Sequence, residues 1–99
     1  MYNAVYLDEV LTDVQEAKIW YKTQKEGLEI EFADRIEQAI KTILSMPLAY
    51  ATRYKNVRIA HPRVFPYNIH FHVNEPAKTV VFTAIVHNKR HPKRPSKRI

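Results

Sequence analysis

Five side chains in the second half of the chain, Arg58, His70, His72, His87 and Arg90, are of the kinds that move protons or neutralise phosphate. An imidazole with its ordinary pKa of ~6.5 serves as base or acid near neutrality. A guanidinium offers phosphate a planar fork that donates two parallel hydrogen bonds. Together such groups supply what cleavage of a phosphodiester by a neighbouring hydroxyl requires: a base for the hydroxyl, cations for the charge developing at phosphorus, and an acid for the departing oxygen. His70 and His72 share one face of any strand, a spacing that could also hold a metal. With no cysteine in the chain and one acidic residue in its second half, we read them instead as solvated strand histidines, with no metal and no cofactor. His87 has a structural alternative, a hydrogen bond to a nearby backbone carbonyl.

The missing cysteine removes thiol nucleophiles, disulfides and thiolate metal sites, and it fits a reducing compartment. Charge is uneven along the chain. Residues 1–50 carry five Lys/Arg against nine Asp/Glu, whereas residues 51–99 carry eleven against one. A basic half of this kind points to an acidic partner, a nucleic acid or an acidic protein segment. The residues expected to meet it are Arg53, Lys55, Arg58, Arg63, His70, His72, Lys89, Arg90, Lys93 and Arg94. Ninety-nine residues make one domain, and no apolar run approaches the ~20 residues of a membrane helix, so a cytoplasmic protein without membrane contact is expected.

The elements that must position these residues follow from hydrophobic period. Tyr2 to Leu7 reads as a short first strand. Asp8 then offers a helix cap, and Val10, Val14, Ala17 and Tyr21 make one helical face over residues 8–24, with Trp20 and Tyr21 expected to pack between helices. Gly27, the only glycine, suits a left-handed turn where that helix stops. Leu28, Phe32, Ile36, Ala39, Ile40 and Ile43 mark a second helix, ended by Pro47. Residues 48–56 show no period and read as a loop. From Val57 the period becomes two. Val57–Ala60, Phe65–Val73 and Thr79–His87 read as strands, with the apolar set of the middle one facing the core and its histidines facing away, and with Asn74–Lys78 as a hairpin turn. Arg58, between Val57 and Ile59, is expected to point away from the core. Residues 91–99 read as a basic, proline-interrupted tail. The order β-α-α-β-β-β predicts an α+β fold, a helical hairpin on a mainly antiparallel twisted sheet whose basic half presents a cationic surface.

In order along the chain, Leu7-Asp8, Ala17, Trp20-Tyr21, Gly27-Leu28, Phe32, Pro47, Val57-Arg58, Phe65-Pro66-Tyr67 and Ala84-Ile85-Val86-His87-Asn88-Lys89-Arg90-His91-Pro92 resemble the RelE/ParE toxin superfamily, closest to its ParE-like branch. That resemblance implies a bacterial toxin of a type II toxin–antitoxin (plasmid stabilisation) system, neutralised by a small antitoxin, as a homodimer or a toxin–antitoxin heterotetramer. ParE-like members inhibit DNA gyrase. RelE-like members cut mRNA on the ribosome, and under that alternative Arg58, His87 and Arg90 would be the catalytic set. The RelE-type pattern places an aromatic residue, usually tyrosine, soon after its last arginine; here none follows Arg90, which favours the ParE side. A basic nucleic-acid-binding domain without toxicity is the third reading.

Overall fold

Two helices form where the apolar period is 3.6. α1 spans Asp8–Gln24 and α2 spans Leu28–Ser45 in the computed structural model, which describes residues 1–89. The expected tail 91–99, and with it Arg90, Lys93 and Arg94, lies outside the described residues. Leu7, rather than Asp8, caps α1, and no side chain takes up the cap position; Asp8 and Glu9 sit in the first turn, where the helix dipole favours negative charge. Gly27 adopts φ +94 as expected, but it opens α2 rather than closing α1, which ends two residues earlier at an extended Lys25. The Gly27 N–H donates to the Glu29 carboxylate at 2.9 Å, so the turn and the start of α2 are fixed together.

The sheet has five strands in the order β1-β5-β4-β3-β2, where β1 is Asn3–Tyr6, β2 Thr52–Tyr54, β3 Val57–Ala60, β4 Tyr67–Asn74 and β5 Thr79–His87. Only the β1–β5 pairing is parallel. The stretch 48–56, expected as a loop, contains a 3₁₀ turn at Pro47–Ala49 and the three-residue β2, which pairs back onto β3 through a turn with Lys55 at φ +48. So short a strand leaves no periodic signal to read. The Asn74–Lys78 hairpin is as expected, closed by Lys78 N–H to Glu75 O at 3.0 Å and by the Asn74 carboxamide on Ala77 N–H at 3.3 Å. The expected α+β architecture is therefore present, with one added edge strand.

Both helices lie across the same sheet face. Phe32, Phe71 and Phe82 are fully buried between these layers, each side chain contributing about 1.5–3 kcal/mol through removal from water. Tyr21, Phe32, Phe65 and Tyr67 pack as one aromatic group, with the Phe32–Tyr67 centroids 4.9 Å apart and Tyr21–Phe65 5.0 Å apart, mostly edge to face. Phe65 precedes β4 yet remains in this core. Two features tie the layers. Thr83 is an extra residue in β5: His70 pairs with Ala84 and Phe71 with Phe82, so a bulge lets neighbouring β5 side chains bury on both faces. Past Tyr6, β1 no longer covers the edge of β5, and the buried Asp13 carboxylate of α1 accepts the Ile85 N–H at 3.0 Å in its place.

Candidate functional site

The residues expected to act together do not share a surface. Arg58 lies opposite Phe71 in register, and directly opposed residues share a sheet face, so its side chain leaves on the helical side. There Nη1 donates to the Tyr50 carbonyl, and the Tyr50 ring stands edge-on to Phe71 at 5.6 Å. The expectation that Arg58 points away from the core is thus reversed. Val57 and Ile59 occupy the other face, and Val57 is fully buried there beside Tyr54, its partner in β2. An alternation with apolar residues on either side of Arg58 gives no phase from sequence alone.

His87 is on the helical side too. It lies opposite Tyr67, the rings edge-on at 5.4 Å, and its Nδ1 accepts the Lys89 N–H at 3.1 Å. The backbone bond expected for His87 is therefore made, but to an N–H rather than a carbonyl. With Nδ1 accepting, the neutral ring carries its proton on Nε2. His70 and His72 share the opposite face as expected, yet His70 is buried rather than solvated, with Nδ1 2.9 Å from the Tyr54 hydroxyl. His72 is half-buried, across from Val81. The sheet therefore separates Arg58 and His87 from His70 and His72.

The remaining cations are exposed but dispersed. Arg53 and Lys55 lie on β2 and its turn, Arg63 in the β3–β4 connection, and Lys89 just past β5. Lys78 sits in the far hairpin, with Nζ 5.0 Å from the centre of the Tyr2 ring. The described residues thus do not form the single cationic sheet surface expected. Among them no group of three His, Asp or Glu side chains is placed to hold a metal ion.

What the helices present outward is more coherent. A groove of ≈ 600 Å³ runs over the helical hairpin beside β1, floored by Val10, Val14, Ile36, Ile40 and Leu44 and walled by Tyr6 and Leu11, with Lys18 and Lys41 on its margin. Leu11 is 61% exposed, and outside the groove Ile19 and Ile30 are also exposed. Trp20 was expected to pack between the helices, but it is 46% exposed, because Tyr21, one position on, takes the inward place in the aromatic group. Burial raises the pKa of the Tyr6 hydroxyl at the groove wall, and the nearby Glu37 charge adds to the rise.

A second recess, of ≈ 390 Å³, opens between α2 and the end of β3. Arg35, Gln38, Thr42, Tyr50, His61 and Arg63 are among the residues lining it. Of these Arg63 is legible from sequence, whereas Arg35 sits on a helix that reads as acidic and His61 belongs to no motif.

The sequence matches no protein-family model and no curated protein. Its fold is similar to that of a solved structure, the chromosomal ParDE TA system from P. aeruginosa, with a TM-score of 0.75 over 88% of this chain and 96% of that one, at 15% sequence identity. Among the described residues no helix is long and apolar enough to cross a membrane.

Proposed function

We propose that this protein is the toxin half of a type II toxin–antitoxin pair, a cytoplasmic ParE-like protein that acts by binding DNA gyrase rather than by cutting RNA. The observation that carries the reading is the shared fold with a ParDE system over nearly the whole chain, at the branch of the superfamily that the sequence motifs also favour. Arg58 and His87 share the helical face, but there Arg58 donates to the Tyr50 carbonyl and His87 accepts the Lys89 N–H, and this engagement with backbone supports binding over general acid–base catalysis. The apolar groove fits the neutralising partner. An amphipathic helix laid into it would bury Leu11 and Tyr6 and set an acidic side chain against Lys18, Lys41 being paired with Glu37 at the same margin.

The test is inducible expression, alone and with the neighbouring small reading frame, followed by gyrase supercoiling and translation assays on purified protein. The proposal expects growth arrest relieved by the neighbour, blocked supercoiling, and mRNA left intact on ribosomes. Cleaved A-site codons with unimpaired supercoiling would replace it with the ribonuclease reading. Absence of any growth defect would leave a basic nucleic-acid-binding domain.

A further inference from the structure

We propose that the recess between α2 and the end of β3 is a phosphate-binding site built by Arg35, Arg63 and His61. The assignment does not depend on the toxin reading.

Its lining joins two guanidiniums and an imidazole with Gln38, Ala39, Thr42, Tyr50 and Ala60, and it includes no carboxylate. Lys41 pairs with Glu37 on the exposed surface, and no acidic side chain lines the recess beside either arginine. Asp34, the neighbour of Arg35 in sequence, accepts the Gln38 carboxamide at 2.9 Å. The Nε of Arg35 is sealed from solvent and meets no hydrogen-bond acceptor. A charged donor in that condition destabilises the fold more than a neutral one, and an oxyanion in the recess offsets the charge of the guanidinium without reaching the sealed Nε itself.

His61 is held ready for the same ligand. Its Nδ1 lies 3.1 Å from the Tyr67 carbonyl, which can only accept, so Nδ1 carries a proton and the ring is fixed; Nε2 accepts in the neutral ring and donates to an oxyanion only in the imidazolium, where both ring nitrogens carry protons. The Thr42 hydroxyl is turned back onto the Gln38 carbonyl at 3.1 Å and is spent as a donor. The donors are therefore Arg35 from the helix and Arg63 from the β3–β4 connection, joined from the same connection by His61 in its imidazolium form. Groups arriving from two elements suit a tetrahedral anion with three acceptor oxygens better than a planar carboxylate, whose two oxygens a single guanidinium satisfies. Beside Arg63, Val64 holds φ +77, an unfavourable conformation for a β-branched residue, so the segment carrying two of the three donors is held in place by the rest of the fold rather than by its own preference. A recess of ≈ 390 Å³ also exceeds what a bare phosphate fills, leaving room for a sugar or the next nucleotide.

The shared chemistry, a phosphate group, has two sources: a small phosphate or nucleotide, and the backbone of a polynucleotide. Amide NMR titration of the full chain at constant ionic strength separates them, using inorganic phosphate, AMP and a single-stranded thymidine hexanucleotide as probes. The expected result is saturable shifts confined to residues 35–42 and 60–64, with Arg63→Gln and Arg35→Gln each weakening binding at least about tenfold and Lys78→Gln, at the far hairpin, leaving it unchanged. Tightest binding by AMP assigns a small ligand. Tightest binding by the hexanucleotide, with steep salt dependence, assigns a polynucleotide. Shifts that never saturate, shifts spread over the surface, or affinity unaltered in Arg63→Gln overturn the site. Arg63 is exposed, so its variant keeps the test valid even where Arg35→Gln perturbs folding.

Discussion

Replacing Asp13 by alanine should loosen the whole helical hairpin from the sheet. The Asp13 carboxylate, 6% exposed, accepts the Ile85 N–H at 3.0 Å across 72 residues of sequence. A hydrogen bond to a charged group contributes about 1.5–3 kcal/mol net, and alanine also strands a buried donor that β1 is too short to reach. We therefore expect a loss of about 2–3 kcal/mol. In a domain of this size each kcal/mol shifts Tm by roughly 4–8 °C, so Asp13→Ala should melt about 10–20 °C below the parent chain. Asp13→Asn keeps an acceptor oxygen in the same place and should lose less than half as much. Calorimetry on the three proteins gives the comparison, and amide exchange at Ile85 localises it, because that N–H should lose protection in the alanine variant before its β5 neighbours do. An alanine variant within about 3 °C of the parent would refute the reasoning. So would an asparagine variant as unstable as alanine, which would place the contribution in charge rather than in the hydrogen bond.

Three further outcomes are expected. Val64→Gly should raise stability by about 0.5–1 kcal/mol, since relief of the left-handed strain (~1–2 kcal/mol) exceeds the added entropy of glycine in the unfolded chain, and the 72% exposed side chain gives up little packing; a lower Tm would contradict this. Because the folded pKa of Tyr6 lies above its unfolded value of ~10, its contribution to stability is complete below pH ~10 and is lost as pH rises through the folded value. Tyr6→Phe should accordingly flatten the alkaline limb of a denaturation series, and Glu37→Gln should bring the phenol partway toward its ordinary value in a phenolate titration. Leu11→Glu, at an exposed groove wall, should leave Tm within about 1 °C and, under the proposed toxin–antitoxin function, weaken binding of the antitoxin at least about tenfold by calorimetry; unchanged affinity would move the partner to another surface.

Much of the fold was legible because it is locally encoded. The 3.6 period placed α1 and α2 to within a residue, the change to a period of two placed β3, β4 and β5, and the lone glycine marked the positive-φ turn between the helices. The candidate site was far less legible. Arg58 sits in a strand flanked by apolar residues whichever way it points, so only its register against Phe71 decides its face. Trp20 and Tyr21 are equally suited to a core, and the helix rotation that admits Tyr21 to the aromatic group expels Trp20.

The amino-acid order by itself thus determined the elements, their sequence and the basic bias of the second half, since each rests on neighbours within a few positions. Tertiary structure alone decided which side chains meet. The link between Asp13 and Ile85, the gathering of Arg35 with His61 and Arg63, and the separation of His70 from His87 all depend on contacts between distant segments, whose phase a one-residue slip or a bulge such as Thr83 resets.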